Sequence, residues 1–140
     1  MAGVSPYWTE LAILVLGFAA ITFVPDIAKD AVDRPRPEGG LVDAKGSAYP
    51  SGHAAHAVVY VWIAIVASLR SRAGVTRGTL IVLAGILAAV AIGLSRVYLG
   101  VHYLSDVNGG WALGVSAFAL IATIALVVAY FRQDGQRDVA

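Results

Sequence analysis

The sequence predicts an all-α integral membrane bundle of about four transmembrane helices. Composition is the first observation: of 140 residues, 59% are hydrophobic and only 14% are charged, against about 45–50% and about 25% in soluble domains. Mean hydropathy is +0.76. Length is the second. Four spans of about 20 residues fit and leave room for connections, whereas six would not. The third is patterning, because four stretches carry no Asp, Glu, Lys or Arg: Leu11–Pro25, Gly46–Leu69, Gly78–Ser95 and Val107–Phe131.

The first stretch is short, and Tyr7 and Trp8 extend it as an interfacial aromatic belt. Met1–Trp8 contains no Lys or Arg, so it lacks the basic region of a signal peptide and the first apolar segment is expected to be retained. The second stretch becomes apolar only after His53. Small residues punctuate the third and fourth, including Gly85, Ala88, Ala89, Gly93 and the GxxxG pair Gly110 and Gly114. Close packing within one bundle is the expected use of that pair, ahead of dimerisation. Asp26–Pro50 reads as an irregular connection, with Pro35, Pro37, Gly39 and Gly40. The chain is expected to form a single membrane-embedded domain over 1–140, with an N-terminal edge at 1–9 and a frayed polar tail at 133–140.

With four spans, the first and third connections share one side of the membrane. Arg70, Arg72, Arg77, Arg132 and Arg137 fall on the other side, which the positive-inside rule makes cytoplasmic. A net charge of +1 gives no global field for nucleic acid. The absence of cysteine excludes disulfides, thiolate metal sites and thiol nucleophiles.

Three polar clusters lie in the outward connections. In the first, Lys29 precedes Arg36 by seven residues, and Pro35 and Pro37 restrict the backbone around that arginine. Arginine matches phosphate oxygens through its planar fork, and lysine adds a point charge. In the second, Pro50-Ser51-Gly52-His53 precedes an apolar helix. Ser51 suits the N-cap, Gly52 permits close backbone approach, the free helix amides favour an anion, and His53 can act as a proton donor beside it. His56, one turn on, reads as a half-buried interfacial histidine. The third cluster is Ser95-Arg96, His102 and Asp106. A helix starting at His102 would place it and Asp106 on one face, where the carboxylate fixes the tautomer and leaves the other nitrogen nucleophilic. Asp26, Asp30 and Asp33 read as local partners of Lys29 and Arg34 rather than a magnesium site.

In order and spacing these clusters resemble the signature of the type 2 phosphatidic acid phosphatase superfamily: Lys-x6-Arg-Pro, Pro-Ser-Gly-His and Ser-Arg-x5-His-x3-Asp. They extend from Lys29 to Asp106. The resemblance implies an acid-phosphatase/haloperoxidase-like helical core and metal-independent phosphate ester or diphosphate hydrolysis without a cofactor. His102 would be the nucleophile that becomes phosphohistidine, Asp106 its orienting carboxylate and His53 the proton donor. Lys29, Arg36, Ser51, Gly52 and Arg96 would bind the phosphoryl group. Phosphatidic acid, phosphatidylglycerol phosphate and polyprenyl pyrophosphate are the candidate substrates, and membrane lipids the surroundings. Membrane members of the family usually have six spans, two of them before the first motif; this sequence has one before it, so a homo-oligomer could cover an exposed face. Eight arginines against two lysines suggest a GC-rich bacterial gene and a bacterial inner membrane. The competing readings are a non-catalytic protein that binds phospholipid head groups and a haloperoxidase-like vanadate enzyme.

Overall fold

The structure, a computed structural model, describes residues 6–71 and 74–137, with side chains over 8–71 and 74–131. It contains four helices, α1 Pro6–Val32, α2 Gly52–Arg70, α3 Val75–Tyr98 and α4 Leu104–Arg137. Each is long and apolar enough to cross a membrane, with mean hydropathies of 2.2, 1.6, 2.4 and 2.5 in chain order. Large apolar side chains point outward along all four, among them Phe23, Ile63, Leu87 and Leu126. An outward apolar surface suits lipid, because a helix satisfies its own backbone hydrogen bonds.

Two helices run further than the charge pattern predicted. α1 continues through Pro25, which is buried, to Val32. Proline inside a spanning helix is tolerated where neighbouring groups compensate for the lost hydrogen bond. α4 continues to Arg137, so the part of the expected frayed tail at 133–137 is helical. The remainder, 138–140, and the expectations for residues 1–5, for Arg72 and for the Tyr7, Arg132 and Arg137 side chains lie outside what is described. Trp8, the other expected belt residue, is exposed.

Small residues set how the helices approach. α2 is central: α3 packs along it, α4 packs against it and α1, and α1 and α3 make no contact with each other among the described residues. On α3, Gly78, Gly85, Ala89 and Gly93 are buried. A methyl group at Gly85 would lie 2.7 Å from the Ala64 Cβ and 2.8 Å from the Tyr60 carbonyl oxygen of α2. At Gly110 it would collide with the Ser51 carbonyl, and at Gly114 it would lie 2.7 Å from the Ala55 carbonyl. The GxxxG pair is therefore used inside the bundle, to seat α4 on α2. Ile13, Ile21, Ala55, Val58 and Phe118 fill the space between α1, α2 and α4. At the end opposite the polar loops, Arg70 Nε meets Glu10 Oε2 at 2.9 Å and joins α1 to α2.

At the loop end, the 33–51 connection folds onto the turn between α3 and α4. Leu41 N–H donates to the Leu99 carbonyl at 2.9 Å. Gly100 adopts φ 67°, and its carbonyl oxygen would be 2.8 Å from any Cβ at Gly40. That turn requires glycine on both sides, for the positive φ at one and the close approach at the other.

Overpacking a tight helix contact costs about 1–3 kcal/mol. Gly110→Leu is expected to lower the thermal midpoint in detergent clearly, whereas Gly74→Ala, where an added Cβ meets nothing within 4 Å, should leave it in place. Equal midpoints for both variants would remove the packing role assigned to Gly110.

Candidate active site

The gap between α1 and α3 is a cavity of about 750 Å³, with α2 between its walls. Lys29 from the last turn of α1, Arg36 from the loop, Gly52, His53 and His56 from α2, Arg96 from the last turn of α3, and His102 all line it. Phe18, Val59, Tyr60 and Ile92 continue the wall as an apolar surface along the helices. The cavity is thus polar at the loop end and apolar along the bundle.

The second cluster behaves as its sequence suggested in one respect. Ser51 is the N-cap of α2, its Oγ accepting from Ala54 N–H at 3.4 Å. Such caps are worth about 0.5–2 kcal/mol. Its burial is complete, however, and it does not line the cavity. Its N–H donates to the Asp106 carbonyl at 2.9 Å. The Ser51 hydroxyl thus caps the helix as expected, and Gly52 lines the cavity with open space where a Cβ would stand. His53 is exposed to that space. His56 is half-buried, with Nδ1 2.7 Å from the Gly52 carbonyl and Nε2 3.3 Å from Thr22 Oγ1, and Phe18 packs edge-on against its ring. It ties α2 to α1.

The third cluster departs from the expected geometry. α4 begins at Leu104, so His102 precedes the helix instead of sharing a helical face with Asp106. His102 Nδ1 lies 2.7 Å from the Ala48 carbonyl oxygen, and Asp106 Oδ2 is 3.6 Å away, beyond hydrogen-bond range. A carbonyl only accepts, so in the neutral ring Nδ1 carries the proton and Nε2 presents its lone pair. The Asp106 carboxylate is fully buried, stands in ion-pair range of the ring and is hydrogen-bonded to two further groups. Its Oδ1 accepts from Arg34 Nη1 at 2.8 Å, and its Oδ2 accepts from Tyr103 N–H at 2.8 Å, the N3-to-N-cap half of a capping box. Asp26 pairs with Lys29 at 2.9 Å as expected, but the expected local pairing of Arg34 is replaced by this contact across the fold.

Arg36 is held almost entirely by backbone. Nε donates to the Gly46 carbonyl at 3.0 Å, Nη1 to Val101 at 2.8 Å, and Nη2 to Lys45 at 3.0 Å and Ser47 at 3.3 Å. Nη1 is also 3.3 Å from His102 Nε2. Arg96 bonds through Nε to Ser95 Oγ at 3.3 Å. Burial, and then the adjacent Arg36 guanidinium, hold the His102 imidazole below its ordinary pKa of 6.5, against the opposing pull of the Ala48 carbonyl and Asp106. The result is a neutral imidazole with one nitrogen pinned and the other facing a cationic cavity. Among the described residues, no group of three or more His, Asp or Glu is arranged to hold a metal ion.

A sequence model described as the PAP2 superfamily matches residues 10–129. The chain belongs to the PAP2 superfamily. Phosphatidylglycerophosphatase B of Bacillus subtilis (strain 168) is 33% identical over 133 residues, covering 90% of this chain and 63% of that protein. The crystal structure of a transmembrane PAP2-type phosphatidylglycerolphosphate phosphatase from Bacillus subtilis superimposes with a TM-score of 0.74 at 31% identity, covering 81% of this chain and 57% of that one. The chain thus spans less than two thirds of the length of either relative.

Two contributors escaped the sequence reading. Ala48 acts through its carbonyl, which no residue type advertises. Arg34 sits in the Arg34-Pro35-Arg36-Pro37 run beside the motif arginine, and only the fold shows that it reaches α4.

Histidine-resolved NMR in detergent should find His102 as the Nδ1–H tautomer, with a titration midpoint below 6.5. An Nε2–H tautomer, or a midpoint above that value, would contradict the assigned contacts.

Proposed function

We propose that this chain is a single-domain membrane phosphatase that hydrolyses a phosphomonoester or pyrophosphate on a lipid through a phosphohistidine intermediate. The observation that carries the reading is the placement of His102 Nε2. His102 lines a cavity with His53, Lys29 and Arg96, its Nε2 stands beside Arg36 Nη1, and the same cavity continues along apolar helix surfaces. A phosphate at the loop end would leave room for an acyl or prenyl chain between α1 and α3.

In the proposed reaction, His102 Nε2 attacks phosphorus as the bond to the leaving oxygen breaks. His53, protonated, gives its proton to that oxygen. The neutral His53 then takes a proton from water, the resulting hydroxide attacks the phosphohistidine, and phosphate and free His102 are released. Lys29, Arg96, Arg36 and the Ser51–Gly52 region at the start of α2 would stabilise charge on the phosphoryl oxygens, which is where catalysis of phosphoryl transfer chiefly acts. No step calls for a metal or another cofactor. Phosphatidylglycerol phosphate is the favoured substrate, because both relatives are named for it. A bacterial membrane, with the loop end facing outward, is the proposed setting. A second copy covering an exposed helix face is compatible with the fold.

The test is phosphate release in detergent by wild type and His102→Ala. Phosphatidylglycerol phosphate, phosphatidic acid and polyprenyl pyrophosphate would be compared, with a chelator present. Release is expected from wild type, falling by at least about 10³-fold in the variant, the scale of losing a covalent nucleophile. Vanadate should inhibit. Wild-type release that needs magnesium, or full activity of His102→Ala, would overturn the mechanism. A folded wild type that releases nothing from any lipid would favour the head-group-binding alternative.

A further inference from the structure

Arg34 joins two pieces of the site that are far apart in sequence. Its N–H donates to Ser47 Oγ at 3.0 Å, and its carbonyl accepts from Ala48 N–H at 2.8 Å. Ala48 is the residue whose own carbonyl meets His102 Nδ1. The Arg34 side chain reaches the start of α4. There Nη1 donates to Asp106 Oδ1 at 2.8 Å and to Ser105 Oγ at 2.7 Å, and the guanidinium lies 4.5 Å from the centre of the Tyr103 ring. Both ends of the residue are thus engaged, one beside each of the two acceptors that compete for the His102 Nδ1 proton.

We propose that Arg34 is a positioning residue for this site: its guanidinium shares the buried Asp106 carboxylate with the His102 imidazole and so limits how strongly that carboxylate draws a proton onto the ring. The physical reason is charge. A buried carboxylate without a cationic partner would draw a proton onto the nearest base, and His102 Nδ1 is 3.6 Å away. Paired with Arg34, the same carboxylate still caps α4 through Tyr103 N–H while its field at the imidazole is largely cancelled. The other groups facing His102 keep their roles. These are Arg36 and Asp43 from the loop, Lys29 from α1, His53 and His56 from α2 and Arg96 from α3, all lining the same cavity. The role concerns the proposed phosphatase nucleophile and rests on that reading. The geometry on which it acts does not.

The experiment follows the His102 titration by NMR in wild type, Arg34→Gln, Asp106→Asn and the double variant, and in parallel the pH profile of phosphate release. Arg34→Gln should raise the His102 midpoint by about one pH unit, a tenfold change in proton affinity. The acid limb of kcat should move up with it while KM stays nearly constant. In the Asp106→Asn background the same substitution should raise the midpoint clearly less, because no carboxylate is left to be released and only the direct field of the guanidinium is lost. Arg34→Lys should restore most of the wild-type midpoint. An unchanged midpoint, or an equal rise in both backgrounds, would overturn the role. If Arg34→Gln does not fold, Arg34→Lys against Asp106→Asn still decides it, since the first must stay near wild type and the second must lower the midpoint. A shifted midpoint in a protein that releases no phosphate would uphold Arg34 and sink the proposed reaction.

Discussion

The Arg36 guanidinium is the constraint on which the loop end of this molecule depends. An irregular connection at a membrane edge leaves carbonyls that neither helix nor water is guaranteed to satisfy. Arg36 gathers four of them, those of Lys45, Gly46, Ser47 and Val101. That single side chain fixes residues 45–47 against the turn before α4. With those residues fixed, the next carbonyl, that of Ala48, stands 2.7 Å from His102 Nδ1. The orientation of the proposed nucleophile is thus a consequence of how the loop's own backbone is satisfied. Pro35 and Pro37 narrow the conformations that the chain must give up to hold the arginine there.

The bundle supplies the other half. Small residues on α3 and α4 let both helices approach α2 closely, while α1 meets α2 and α4 and leaves α3 apart. Had α3 carried larger residues at Gly85 and Gly93, it could not lie against α2 and α4, and the spacing of Arg96 from His53 would be lost with it. Close packing on one side of α2 is therefore what permits an open cleft on the other. The cleft joins a cationic end to an apolar flank, the combination that a lipid bearing a phosphate requires.

The four helices, their order, and the identities of the cavity-lining residues Lys29, Arg36, His53, Arg96 and His102 were legible in the sequence, because charge-free runs and motif spacing report them directly. The Ser51 cap was legible too. Helix ends were less visible. Lys29 lies in the last turn of α1 as its place near the helix end suggested, but the charge-free run stops at Pro25 and does not mark the end at Val32. The pair of His102 with Asp106 was legible in their spacing and is present at 3.6 Å, although α4 starts two residues after the histidine. What spacing does not show is that the same carboxylate also caps the helix and meets an arginine 72 positions earlier. The Ala48 carbonyl that joins it at His102 Nδ1 leaves no mark in residue types at all.

The two neighbouring arginines consequently divide the electrostatic work. Arg34 is matched by a buried carboxylate, so its charge is locally balanced. Arg36 is matched by carbonyl dipoles, which satisfy its donors without cancelling its charge, and that charge remains beside His102 Nε2 at 3.3 Å. A net positive field at that nitrogen keeps a proton away from it and attracts a phosphate toward it. When a dianion enters, it offsets the same field, so the penalty for placing positive charge on the ring during proposed phosphoryl transfer falls at the moment the substrate is in position. Exchanging the roles of the two arginines would reverse this order, giving a protonated imidazole in the empty cavity and a weaker pull on the incoming phosphate. The asymmetry between a carboxylate-paired and a carbonyl-paired arginine two residues apart would thus suit the proposed nucleophile, neutral before binding and tolerant of charge after it.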